Sequence, residues 1–243
     1  MKVIVVDNYD KMVKKAFAIV KDIVKKNPYA VLGLATGSTP KGLYKLMAED
    51  CKKNKTSYEH IRTVNLDEYQ GLPSSHEQSY AFFMRKNLFD HIDVNSDNLN
   101  IENGMAGNEE KECKRYDEVL DSLPRDIQIL GLGSNGHIAF NEPNTPFDST
   151  THVVNLTEST IKDNSRLFND KSEVPQRAFT MGIKSIMQAK QIILLASGEN
   201  KAQAVYKLVK GRVSEEIPAS VLQLHPNCMV IVDKEAAKYL NEN

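Results

Sequence analysis

Short apolar runs alternate along this chain with longer segments whose apolar positions recur every three or four residues. Val3-Ile4-Val5-Val6 reads as a strand, and Met12, Val13, Ala16, Phe17, Val20, Ile23 and Val24 then fall on one face of a helix. Ala30 to Ala35 is a second strand. Thr39-Pro40 marks the next helix start, with Thr as cap and Pro at the first helical position. Ile61 to Leu66 is a third strand, and Ser75-x-x-Gln78 resembles a capping box ahead of a helix carrying Tyr80, Phe83, Met84 and Leu88. Asn108 opens a helix through Cys113, Tyr116 and Leu120, and Ile127 to Leu132 is another strand. Thr151 to Leu156 reads as a strand, and Thr157 as the cap of a helix reaching Phe168. Gln191 to Ala196 follows as a strand, then a turn at Gly198 and a helix from about Asn200 to Val209. Met229 to Val232 is the last strand, with a short helix behind it. Near-continuous apolar strands are covered on both faces. The pattern therefore predicts a three-layer α/β/α fold with a mostly parallel, Rossmann-like sheet.

At 243 residues and 41% hydrophobic, the chain suits one large α/β domain over 1–243. No repeat or Pro/Ser-rich linker divides it. The densest irregular stretch, about Asn141 to Thr151, and the helix after it read as a lid around 151–180. Net charge is −1, from 31 basic and 32 acidic residues, so no overall field attracts nucleic acid or a membrane surface. Lys11, Lys14, Lys15, Lys21, Lys25 and Lys26 alternate with apolar residues and read as the solvated face of a helix. Cys51, Cys113 and Cys228 are odd in number and widely spaced, which argues against disulfides or a zinc site and for a reducing compartment. The apolar run at the N-terminus is too short for a signal peptide. No run approaches the roughly 18 residues of a membrane span. A soluble, cytoplasmic protein is expected.

Ligands of open α/β sheets bind at the carboxyl ends of strands, and four strand ends here carry chemistry. Thr36-Gly37-Ser38-Thr39 joins a strand to a helix start with free N–H groups and three hydroxyls; it suits an anion or an ordinary capped turn. It has neither Walker A nor dinucleotide spacing. Ser197-Gly198-Glu199-Asn200-Lys201 repeats the arrangement. Its lysine opposes the helix dipole unless an anion lies between them, although a solvated lysine is the commoner case. Two such turns suggest a monophosphate. Asp67-Glu68 follow the third strand and offer either a general base or two solvated charges. In GLGSNGHIAFNEP, residues 131–143, His137 can exchange protons near neutral pH, with Glu142 or Asn135 placed to hold its second ring nitrogen. Nucleophile and metal-ligand spacings are poor, so neither covalent nor metal chemistry is indicated. The set suits proton transfer on a small phosphorylated metabolite.

LGLATGSTP, NLDEYQGL, GLGSNGHIAFNEP, NSRLF and LQLHP together resemble the glucosamine-6-phosphate deaminase family, over about Lys2 to Asp233. The resemblance implies conversion of glucosamine 6-phosphate and water to fructose 6-phosphate and ammonium, without cofactor. It implies that Asp67 moves a proton between C2 and C1 of the open-chain sugar. His137 would open the ring, with Glu142 and Asn135 orienting it. Thr36, Gly37, Ser38, Thr39, Arg166 and Lys201 would hold the phosphate. Asn135 stands where some members carry Asp; an amide takes no proton, so ring opening falls to His137 and Glu142. Basic residues of the activator site found in hexameric members are replaced near His152, Val154 and Asn155, and the chain ends soon after the last strand. Both features argue against allosteric activation and a hexamer, and for a monomer or small homo-oligomer. A 6-phosphogluconolactonase-like hydrolase and a non-catalytic sugar-phosphate sensor are the alternatives.

Overall fold

A computed structural model of the chain describes residues 1–157, 161 and 174–240. Its main sheet has seven parallel strands: β1 (Lys2–Val6), β2 (Val31–Leu34), β3 (Arg62–Asn65), β5 (Leu99–Asn100), β6 (Ile127–Leu130), β9 (Ile192–Ala196) and β10 (Cys228–Asp233), in the order β1-β10-β9-β6-β2-β3-β5. The central strands are largely apolar because alternate side chains enter different cores. Ile193, Leu195, Ile231, Leu32 and Leu34 pack under α1 (Tyr9–Lys26), α2 (Lys41–Asn54) and α3 (Tyr80–Asn87). Leu194, Ala196, Val230, Val232 and Leu130 pack under α4 (Glu109–Ser122), α5 (Ile183–Met187) and α6 (Ala202–Lys210). The three-layer arrangement expected from the sequence is thus observed.

After β2 the chain builds outward through β3 and β5. After β6 it builds the other way, through β9 and β10. This reversal parts the loops at the carboxyl ends of β2 and β6 and opens the crevice where doubly wound sheets bind ligands. A second, three-stranded antiparallel sheet, of which the sequence pattern shows only the strand at Thr151 to Leu156, joins β4 (Asp67–Tyr69), β8 (Arg177–Thr180) and β7 (His152–Asn155). The chain passes from β3 into β4 with one residue between, so Asp67 stands where it leaves one sheet for the other. Arg177 grips Glu109 at the start of α4 through two hydrogen bonds of 2.6 and 2.8 Å, tying the small sheet to the body.

Helix starts differ from expectation in two places. Thr39 does not cap α2: Pro40 holds the cap position without a side-chain bond, and the Gly42 N–H donates to the Tyr9 hydroxyl at 2.9 Å. Ser79, not Ser75, caps α3, accepting from the Phe82 N–H at 3.1 Å. Asn108 caps α4 as expected, accepting from Lys111. The helix expected from Asn200 begins as a 3-10 turn, Glu199–Lys201, and becomes α-helical at Ala202. The short C-terminal helix is a 3-10 turn at Lys238–Leu240. The lysine face of α1 is exposed apart from Lys21, which pairs with buried Asp50 of α2. Half of the expected lid, and most of the helix from Thr157 to Phe168, Arg166 included, lie outside the described residues.

Candidate active site

The loops after β2, β3, β6 and β9 surround one cavity of roughly 250 Å3. Thr36, Gly37, Ser38 and Thr39 form one wall, Lys201 stands beside them, and Asp67, Tyr80 and His137 line the remainder. Residues separated by up to 165 positions thus meet, as the strand-end reading expected. Gly37 has φ +93°, a left-handed conformation that strains any residue with a Cβ, and lets the turn fold back before α2. Lys201 reaches the cavity from the turn after β9. That turn is fastened by Asp233, whose carboxylate accepts from Ser197 Oγ at 2.5 Å and from the N–H groups of Gly198 and Ala236. Three hydroxyls and an ammonium make an anion-friendly wall.

Asp67 is 6% exposed. Burial, and then the neighbouring Glu68 charge, push its carboxyl up to about 8, and among the described residues no hydrogen bond pulls it back. A carboxylate with that proton affinity is matched to general-base work near neutral pH.

The loop after β6 is wound tightly to present His137. The Gly133 N–H donates to the His137 carbonyl at 2.9 Å, and the imidazole lies so close over Gly133 that a Cβ there would meet ring atoms at 2.4 Å. Ala139 turns through φ +53°, so Phe140 can donate its N–H to Thr180 Oγ1 at 3.1 Å and join the loop to β8. Glu142 Oε2 lies 3.5 Å from His137 Nδ1, an ion-pair distance rather than a short hydrogen bond. The same oxygen accepts from Asn135 Nδ2 at 2.6 Å, and Asn135 Oδ1 accepts from the His137 N–H at 3.2 Å. Asn135 therefore donates to the carboxylate and holds it at the back of the imidazole. Only His137 of the three lines the cavity.

Tyr80 was hidden to sequence reasoning as a site residue. Its spacing with Phe83 and Met84 marks a core position, yet its ring lines the cavity, stacked on Phe140 with centroids 6.0 Å apart. Among the described residues no group of three or more His, Cys, Asp or Glu is placed to hold a metal ion. The three cysteines are free thiols, and no described helix is long and apolar enough to cross a membrane.

A doubly wound α/β sheet with a buried carboxyl of raised proton affinity and an imidazole at one cavity is an arrangement suited to proton transfer. Comparison narrows the class. Residues 7–231 match the model of the glucosamine-6-phosphate isomerase/6-phosphogluconolactonase family, and the chain belongs to that family. It is 53% identical over 242 residues to a glucosamine-6-phosphate deaminase of Clostridium botulinum (strain Loch Maree / Type A3), covering 99% of each chain. It is 50% identical to that of Thermoanaerobacter pseudethanolicus, covering 99% of this chain and 95% of the relative. A solved structure described as a monomeric glucosamine-6-phosphate deaminase superposes with TM-score 0.96 at 48% identity, over 98% of this chain and 99% of that one. A 6-phosphogluconolactonase from Trypanosoma cruzi superposes with TM-score 0.78 at 21% identity, covering 99% and 97%, and shares the fold.

Proposed function

We propose that this chain is a glucosamine-6-phosphate deaminase, converting glucosamine 6-phosphate and water to fructose 6-phosphate and ammonium. The observation that carries the proposal is the meeting of Asp67 and His137 at one cavity whose third wall is the hydroxyl turn and Lys201. Relatives about half identical over the full chain support it.

In this reading the phosphate rests on Thr36, Gly37, Ser38 and Thr39, with Lys201 adding charge; Arg166 is proposed to join them. A fixed phosphate holds the reacting carbons in place and supplies binding energy for the open-chain pose. His137 passes a proton to the ring oxygen as the pyranose opens. Glu142 stabilises the imidazolium, and Asn135 orients Glu142. Asp67 then takes the C2 proton and returns it at C1. The amine of the bound sugar, when protonated, favours the ionised form of Asp67 that this step needs. Loss of ammonium after hydration of the resulting imine leaves the ketose phosphate. The steps are ring opening, proton transfers, hydration of the imine and departure of ammonium, none of which changes the overall oxidation state, so the chemistry calls for no cofactor. We also infer a single domain with its lid around 151–180, action as a monomer or small homo-oligomer, and a cytoplasmic location. The high similarity to a deaminase described as monomeric supports the small assembly.

Purified protein incubated with glucosamine 6-phosphate should release ammonium and fructose 6-phosphate in equal amounts. Hydrolysis of 6-phosphogluconolactone without ammonium release from the amino sugar would replace this reading with the lactonase one.

A further inference from the structure

A second buried carboxylate, one residue from Asp67, has no part in the chemistry above. Glu68 is 2% exposed. Its Oε1 accepts from the backbone N–H groups of Tyr69 and Tyr80, both at 2.8 Å, and its Oε2 from that of Ala81 at 2.9 Å. Tyr80 and Ala81 open α3, where N–H groups have no partner within the helix. With Ser79 taking the Phe82 N–H, the carboxylate of β4 completes the capping of a helix that starts twelve positions later. The first residue so held is Tyr80, which lines the cavity.

Three carboxyls are buried together here, and their surroundings differ. Glu68 receives three N–H donors, and it also meets the positive end of α3; both favour its anion. Burial raises it to about 7, with those donors pulling it back, while Asp67 stands at about 8. Glu102 is 1% exposed, and among the described residues neither of its oxygens has a partner. Burial and then the charge of Asp67 push it well above the ordinary carboxylate range. Of the three, Glu68 is the one whose surroundings, N–H donors and a helix start, favour the anion.

We propose that Glu68 is a positioning residue for deamination: an anion pinned by the start of α3, it holds Tyr80 at the cavity wall and sets a fixed negative charge beside Asp67. The inference rests on Asp67 being the base. A carboxylate beside a fixed anion binds a proton more tightly than one alone, which suits a proton taken from carbon. The other groups facing Asp67 are Tyr69 on its own strand, Tyr44 of α2, Tyr80 of α3 and Glu102 after β5, with His137 and Lys201 across the cavity.

The test is the pH profile of kcat/KM for the wild type, Glu68→Gln and Glu68→Asp. The phosphate and amine of the substrate titrate alike for all three, so differences belong to the protein. Glu68→Gln removes the charge and should move the acidic limb down by about one pH unit, the usual size for a close charge. Glu68→Asp keeps the charge on a shorter arm; it should hold the limb near the wild-type position while KM rises. An unchanged limb in folded Glu68→Gln overturns the proposal. If Glu68→Gln fails to fold, Glu68→Asp decides: a limb at the wild-type position supports the charge, and a limb moved down refutes it. Failure of the underlying reading is separable, because Asp67→Asn would then retain turnover whatever Glu68 does.

Discussion

Asp67→Asn should make the protein more stable while removing its chemistry, and the gain should appear only as pH rises. The ordinary carboxyl value is 3.8, and in the folded chain it is about 8. The difference is about four pH units. At about 1.4 kcal/mol each, the folded state carries at most ~6 kcal/mol of unfavourable ionisation. Solvent reaching the open cavity and the desolvation of the new amide take back about half, leaving about 3 kcal/mol. The folded value is raised, so below pH 4 both states are protonated and the cost is nil. It grows as pH rises from about 4 to 8 and is constant beyond. Substrate-free thermal or urea unfolding at pH 5.5 and pH 8.5 checks the reasoning. At pH 8.5 the variant should melt higher, by roughly 6–12 °C for a chain of this size, and at pH 5.5 by clearly less. An equal gain at both pH values, or a less stable variant at pH 8.5, would mean that Asp67 is not the strained group described here.

Gly133→Ala places a Cβ 2.4 Å from the His137 ring. It should cost about 1–3 kcal/mol of stability through overpacking and displace the imidazole; activity falling well beyond the stability loss, by kinetics beside thermal melting, is the expected result. His137→Gln should lose roughly 10²-fold or more on the closed sugar and less on an open-chain analogue, and equal losses on both would remove it from ring opening. Lys201→Ala removes a charged contact of about 1.5–3 kcal/mol, so KM should rise roughly tenfold or more with kcat little changed; an unaltered KM would take the phosphate away from this lysine.

Most of the main sheet was legible because its central strands are buried and appear as largely apolar runs; the two-residue β5 was not. Of the small sheet only β7 was legible. Asp67-Glu68-Tyr69 and Arg177–Thr180 are short, mixed in polarity and paired across a long stretch of chain, so no local period announces them. Helix starts failed where the cap comes from afar: Tyr9 serves α2 from 33 residues away, and Glu68 serves α3 from twelve. Asp67, His137, Glu142 and the hydroxyl turn could be picked out because polar groups at strand ends lack a packing reason to be there. Glu68 showed its charge but not its use. Tyr80 was concealed by helical spacing that fits the core equally well.

Turnover of Asp67→Asn on glucosamine 6-phosphate, with substrate binding followed by calorimetry, tests the central claim most directly. The account predicts binding within a few-fold of wild type and a fall in kcat of about 10²-fold or more, the usual contribution of a positioned base. Retained binding with kcat within tenfold of wild type would contradict it and move the proton transfer to another residue of the cavity.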